Sequence, residues 1–157
     1  MKISFVTPAY NRRDLLVETI DSIIVSVSCL PDLDFEMVVV DDASCDDTEK
    51  VVFDRYSSWI ESGGMIYERL PKNLGVTGAK NRGVEISSGD WIVFLDSDDL
   101  LVSSSFCAML KRLEEKRNYD FFFFSCEDFD GDLIGRKFGS KSLILEDYIN
   151  NGTYGEK

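Results

Sequence analysis

The sequence predicts an α/β domain: a doubly wound, mostly parallel sheet with helices on both faces. Three observations carry this. Short apolar, β-branched runs alternate along the chain with segments of helical periodicity. The connections between them are a few residues long, as right-handed β–α–β units require. Residues 91–95, Trp-Ile-Val-Phe-Leu, show no polar alternation, the pattern of a strand covered on both faces.

The elements follow in order. Residues 3–6 form an apolar strand, which Thr7, Pro8, Ala9, Tyr10 and Asn11 break. A helix comes next, with Leu15, Leu16, Thr19, Ile20, Ile23, Ile24 and Val27 at helical spacing. Asn11 is its expected N-cap, with Asp14 three residues on. Pro31 ends the connection to a second strand, 35–40, closed by Asp41, Asp42, Ala43 and Ser44. Ser44 with Asp47 reads as a capping box that opens a second helix, through Val51, Val52 and Tyr56 to about Ile60. Gly63 and Gly64 turn the chain into a third, more alternating strand, 65–70. Residues 71–78 read as a loop containing Gly75 and Gly78, and 79–86 as a short helix. Ser87, Ser88 and Gly89 lead into the apolar run at 91–95.

Beyond Leu101 a helix is expected through Phe106, Met109, Leu110 and Leu113. Lys111, Arg112, Lys116 and Arg117 near its C-terminal end suit the helix dipole. Residues 121–126 are a further apolar strand, joined through the turn Asp130-Gly131-Asp132 to a strand at 133–138. Another helix is expected to start within 143–150.

The chain has 157 residues, 44% of them hydrophobic, enough for one domain with a core of its own. A net charge of −12 argues against a nucleic-acid binder that works by neutralising phosphates, and against attraction to an anionic membrane surface. Cys29, Cys45, Cys107 and Cys126 are scattered with no CxxC spacing and read as reduced, mostly buried thiols of a cytosolic protein. The opening residues lack the apolar stretch of a signal peptide. No segment approaches the ~18 apolar residues of a membrane span. The expected location is the cytoplasm or the membrane periphery.

The loops at 7–11, 41–44 and 96–99 all follow strands of one parallel sheet. They therefore meet at its carboxyl edge, where ligands of open α/β sheets bind. Pro8 stiffens the first loop, and Tyr10 offers a flat ring for a base to stack on. Asp42 can accept a hydrogen bond from a ring imide such as N3–H of uracil. Asp96, Asp98 and Asp99 repel one another, and a divalent cation offsets that directly. With oxygen ligands and no histidine in the chain, that cation is Mg²⁺ or Mn²⁺ rather than zinc. Each feature also has a plain structural reading. The acidic cluster can cap the next helix, Tyr10 can be packing, Asp41 and Asp42 can favour a helix N-terminus, and Asn73 and Gly75 can shape a turn. Their placement on one edge favours a ligand site.

Thr-Pro-Ala-Tyr-Asn, Val-Val-Val-Asp-Asp-Ala-Ser, Asn-Leu-Gly-Val-Thr-Gly-Ala-Lys-Asn-Arg-Gly and Phe-Leu-Asp-Ser-Asp-Asp, in this order, resemble the successive motifs of GT-A fold, family 2 glycosyltransferases. The resemblance runs from Lys2 to about Lys111. It implies a GT-A, Rossmann-like nucleotide-diphospho-sugar transferase fold. It also implies inverting, metal-dependent transfer of a sugar from a nucleotide-sugar donor, with UDP-sugar expected, to a glycan or glycoconjugate acceptor. By that resemblance Pro8, Ala9, Tyr10 and Asp42 line the nucleobase site, and Asn73 and Lys80 approach base and diphosphate. Asp96, with Ser97 beside it, lies near the ribose. Asp98 is the principal ligand of Mn²⁺ or Mg²⁺. Lys80 stands where many members carry Arg, which keeps the charge but loses the bidentate fork.

In the family the general base comes from the acceptor half, well after the Asp-x-Asp. Glu127, Asp128, Glu146 and Asp147 are the tail carboxylates here, and none carries a motif that assigns it the role. The expected organisation is one truncated GT-A-type domain, with 1–101 binding the nucleotide sugar and 102–157 opening the acceptor side. Apolar surface left by truncation would favour a homo-oligomer. The alternative of another class is a non-catalytic nucleotide-sugar-binding module, which a transfer or donor-hydrolysis assay separates. A dinucleotide enzyme is disfavoured, because no Gly-x-Gly-x-x-Gly follows the opening strand.

Overall fold

A computed structural model describes residues 1–115, 124 and 126–134. The chain forms two compact units, Met1–Glu114 and Glu115–Lys157.

In the first unit the order is β1 (Lys2–Ala9), α1 (Arg13–Ser28), β2 (Asp34–Asp41), α2 (Thr48–Glu61), β3 (Met65–Arg69), α3 (Gly75–Ile86), β4 (Trp91–Phe94) and α4 (Ser103–Glu115). The strands form a sheet in the order β3-β2-β1-β4, and every pairing is parallel. Side chains alternate between its faces. Val6, Val38 and Val40 point one way and form a core with Ala79 of α3, with Ile66, Ile86 and Ile92 packed against it. Ile3, Phe5, Met37 and Val39, all buried, point the other way. On that side Phe5 meets Phe106 of α4, ring centroids 5.5 Å apart, and Phe35 meets Trp59 of α2 at 5.8 Å. Helices therefore cover both faces.

Several boundaries differ from the sequence expectation. β1 runs through Ala9 instead of breaking at Thr7. Pro8 is tolerated because even-numbered residues of β1 face β4, whose last paired residue, Phe94, sits opposite Val6. No ladder bond is lost there. Asn11 does not cap α1; Arg12 holds that position, and Asn11 has φ 52°. Ser44 and Asp47 form no capping box. α2 begins at Thr48 without a side-chain cap from Asp47, and Ser44 instead donates its backbone N–H to Asp41 Oδ1 at 2.8 Å. α3 starts at Gly75, not Ala79, because Asn73 Oδ1 accepts from Gly75 N at 3.1 Å and turns the chain into the helix early. Among the described residues the run at 91–95 has a sheet neighbour on one side. β4 pairs only with β1 in the described sheet, and Phe94 is 49% exposed. The cysteines are not buried: Cys29, Cys45 and Cys126 are exposed and Cys107 is intermediate. Cys29 ends α1, Cys45 lies in the loop after β2 and Cys126 lies in a hairpin, all off the apolar faces.

At the amino edge of the sheet, opposite the carboxyl ends of the strands, Glu36 is buried and accepts four hydrogen bonds. They come from Lys2 Nζ (2.7 Å), Ser4 Oγ (2.6 Å), and Ser88 N and Oγ (2.6 and 2.7 Å). Burial opposes its charge, but the bonds from Lys2, Ser4 and Ser88 win and hold its carboxyl down to about 2, from 4.5. A depressed folded-state value stabilises the fold above pH 4.5, and that contribution is lost as the pH falls towards 2. The shift corresponds to about 3 kcal/mol. Urea unfolding of the parent is expected to weaken steeply across this window, and that of Glu36→Gln to lose most of the slope.

In the second unit, β5 (Cys126–Glu127) and β6 (Leu133–Ile134) pair antiparallel as the expected hairpin. Asp128 Oδ1 accepts from Asp130 N (3.0 Å) and Asp132 N (2.8 Å), and Gly131 takes φ 84°. Glu127 and Asp128 are exposed. The expected helix at 143–150, with Glu146 and Asp147, lies outside the described residues. So do Lys116, Arg117, and most of the expected strand at 121–126.

Candidate functional site

β1 is the point where strand order reverses: β2 and β3 lie on one side, β4 on the other. A crevice opens at the carboxyl ends of the strands flanking such a point. Here it is a cleft of about 310 Å³. Its walls come from three strand ends, Pro8, Ala9, Tyr10 and Arg12 after β1, Asp42 after β2, and Asp96, Ser97 and Asp98 after β4, with Val76 and Ala79 of α3.

The loops are braced to one another. Asp42 N donates to Ala9 O at 2.8 Å. Asn11 N donates to Ser44 Oγ at 2.9 Å, and Asn11 Oδ1 accepts from Cys45 N at 2.7 Å. Among the described residues, the two non-glycine positions with positive φ, Asn11 and Ala43 (63°), both lie in these loops. Such conformations persist only where neighbours over-determine them. Asp41 supplies much of that support. It is fully buried, with Oδ1 taken by Ser44 N and Oδ2 by the Tyr67 hydroxyl at 2.7 Å. Burial, and then that bond, push the Tyr67 phenol well above its ordinary value.

Asp42 is also buried, and its Oδ1 accepts from Leu74 N at 2.7 Å, which ties the 71–74 loop to the cleft wall. Among the described residues its Oδ2 carries no hydrogen bond. The Tyr10 ring is 46% exposed in the mouth of the cleft.

Two side-chain cations lie against the aspartates after β4. Lys80 Nζ lies 2.7 Å from Asp96 Oδ1, and the Arg12 guanidinium pairs with Asp98 Oδ2. Protein cations thus already offset the charge. Asp96 Oδ1 is itself buried, with the Lys80 ammonium as its ionic partner. Partial burial, then the charges of Asp96 and Asp98, raise the carboxyl of Asp99 above its usual range. Among the described residues no three carboxylates or thiols converge as a metal cage. Mg²⁺-like ions ordinarily take one or two carboxylates and complete their shell with water and substrate phosphates. Asp98, its side chain partly open to solvent, and Asp96 beside it on the same cleft wall fit that arrangement.

Of the residues singled out in the sequence, Pro8, Ala9, Tyr10, Asp42, Asp96, Ser97 and Asp98 share the cleft wall. Lys80 stands behind the wall on Asp96, over the Phe94 ring at 5.6 Å. Asn73 is exposed and spends its Oδ1 on Gly75. Sequence reasoning missed Arg12, Val76 and Ala79. A cation directly after Tyr10-Asn11 was the available signal for Arg12.

The profile of Glycosyl transferase family 2 matches residues 4–153. The chain belongs to this family. It is 34% identical over 105 residues to the poly(ribitol-phosphate) beta-glucosyltransferase of Bacillus spizizenii, covering 67% of this chain and 16% of that protein. It is 31% identical over 151 residues to the GalNAc(5)-diNAcBac-PP-undecaprenol beta-1,3-glucosyltransferase of Campylobacter jejuni, covering 95% of this chain and 46% of that one. The chain thus spans less than half of either relative. Among solved structures, Staphylococcus aureus TarS 1-349 in complex with UDP superposes with a TM-score of 0.62 at 26% identity, over 74% of this chain and 33% of that one. The mannosyltransferase PcManGT from Pyrobaculum calidifontis, in complex with GDP-Man and Mn²⁺, gives 0.61 at 26% identity, over 71% and 32%. The family 2 chain described here therefore has the GT-A type of α/β fold, four parallel strands with helices on both faces. No helix among its described residues is long and apolar enough to cross a membrane.

Proposed function

We propose that this chain is the nucleotide-sugar-binding part of a glycosyltransferase that moves a sugar, with inversion, from a UDP-sugar to a glycan or glycoconjugate acceptor. The observation that carries the reading is the single cleft shared by Tyr10, Asp42, Asp96 and Asp98. A TarS structure holding UDP and a PcManGT structure holding GDP-Man and Mn²⁺ support the donor class. The relatives named for poly(ribitol-phosphate) and PP-undecaprenol support the acceptor class.

The Tyr10 ring takes one face of the base, and Pro8 and Ala9 form the floor beneath it. Asp42 offers its open Oδ2 to the imide N–H of uracil, while Oδ1 keeps the loop in place. Asp96 and Ser97 meet the ribose, and Lys80 holds the Asp96 carboxylate in position from behind. Asp98, with Asp96 beside it, would hold Mn²⁺ or Mg²⁺. That ion, when bound, would neutralise the diphosphate as it becomes the leaving group.

Calorimetric titration with UDP, GDP, dTDP and CDP, each with and without Mn²⁺, tests this. UDP is expected to bind best and to need Mn²⁺. A preference for GDP would remove Asp42 from its uracil-reading role. Stacking on an aromatic ring is worth about 1–3 kcal/mol per base. Tyr10→Ala is therefore expected to weaken UDP about tenfold or more and to leave the melting temperature nearly unchanged, since the ring is half exposed. Equal UDP affinity in the variant would take Tyr10 out of the base site.

A further inference from the structure

Arg12 lines the cleft, and none of the roles above uses it. It sits at the N-cap of α1, its position fixed by the braced loop before it. Its guanidinium reaches Asp98 with Nη1 alone. Among the described residues Nε and Nη2 make no hydrogen bond, so most of a planar, five-donor fork is unused at this residue of the cleft wall. Both partners are nearly half exposed, 47% for Arg12 and 44% for Asp98. A pair that open to water holds weakly and exchanges partners at little cost.

The charge balance of the cleft gives the fork a task. The chain carries a net charge of −12, and Asp42, Asp96 and Asp98 all face this space. A nucleoside diphosphate is an anion and needs cations there. Lys80 is already committed to Asp96. A guanidinium matches phosphate oxygens bidentately, as an ammonium does not.

We propose that Arg12 is a diphosphate-binding residue, held on Asp98 while the cleft is empty and transferred to the donor's phosphate oxygens when Asp98 engages a divalent cation. Arg12 then serves twice. It keeps Asp98 from standing unpaired beside Asp96, and it supplies positive charge to the leaving group once released. No bond is made or broken; the guanidinium exchanges one oxyanion for another. The exchange rests on the reading of Asp98 as a metal ligand.

The test uses the full chain and four proteins: the parent, Arg12→Ala, Arg12→Lys and Arg13→Ala. Arg13 pairs with Asp14 and does not line the cleft, so its loss changes net charge equally without touching Asp98. Three titrations are run: Mn²⁺ alone, UDP at saturating Mn²⁺, and uridine followed by ligand-observed NMR. With its competitor gone, Arg12→Ala is expected to bind Mn²⁺ alone about two- to fivefold tighter. It is expected to bind UDP with Mn²⁺ at least about tenfold more weakly, and uridine unchanged. Arg12→Lys should fall between for UDP, and Arg13→Ala should match the parent throughout. Parent-like UDP affinity in Arg12→Ala overturns the phosphate role. Parent-like Mn²⁺ affinity in the same variant, or an equal gain in Arg13→Ala, overturns the held state. If the parent itself shows no Mn²⁺ dependence with UDP, the reading of Asp98 fails and takes the exchange with it. An intact Mn²⁺ dependence with unresponsive Arg12 variants sinks the Arg12 assignment alone.

Discussion

Asp98→Ala is expected to lose Mn²⁺-supported UDP binding by about a hundredfold or more. Removing a residue that merely orients a metal ligand costs about 10–100-fold in metal affinity, so removing the ligand itself belongs at or beyond the top of that range. Asp98 has few structural duties that would confuse the measurement. It is exposed to 44%, and its partner Arg12 is equally open. Exposed pairs of this kind contribute about 0–1 kcal/mol to stability. The variant should therefore fold and melt like the parent while failing to bind. Asp98→Asn separates charge from shape: it keeps an oxygen in place but removes the negative charge, and it should lose nearly as much. UDP without Mn²⁺ should behave oppositely in Asp98→Ala, binding slightly better than to the parent, because the Arg12 fork is no longer occupied. An Asp98→Ala protein that takes up UDP and Mn²⁺ like the parent would remove this carboxylate from the site.

The sheet and the cleft at its carboxyl edge were legible because they rest on patterns with one physical meaning. Val38, Val39 and Val40 in succession can only sit well on a strand with both faces covered, and all three are buried. Strand ends of a parallel sheet must share one edge, so Asp42 and Asp98 had to come near Tyr10 once the order of elements was read. The caps were not legible, because a short polar side chain has several backbone groups within reach. Asn11, at a natural capping position, instead bridges to Ser44 and Cys45, thirty-three and thirty-four residues away. Ser44, the other expected cap, receives that bridge. The acidic cluster shows the same limit. Three aspartates in four residues announce a need for positive charge, but sequence spacing could not say that Lys80 and Arg12 would supply part of it. Nor did the sequence say why α3 carries a glycine at position 83, within an otherwise ordinary helical stretch.

That glycine sets how closely α3 lies on β1, and Gly83→Val is expected to destabilise the domain by about 3 kcal/mol or more. A Cβ built at this position would stand 2.3 Å from Val6 Cγ1 and 3.5 Å from Val40 Cγ2. Val6 and Val40 are fully buried in the core between α3 and the sheet, so neither can swing into solvent. Overpacking a close-packed layer costs about 1–3 kcal/mol, and sometimes more where several atoms are added. Helix propensity partly offsets this for alanine, by about 1 kcal/mol relative to glycine, so Gly83→Ala should lose less than Gly83→Val. Ala79 lies one turn earlier on the same face of α3 and forms part of the cleft wall. Lifting the helix would thus widen the cleft, and UDP affinity should fall together with the urea midpoint. The cause is separable from a general loss of stability by a second change. Val6→Ala removes the atom that the new Cβ would strike, so Gly83→Ala combined with Val6→Ala should be more stable than the sum of the two single losses predicts. Strict additivity in that cycle would mean that the helix does not rest on β1 at this point, and that the cleft wall formed by α3 is held in place by something other than the contact between Gly83 and Val6.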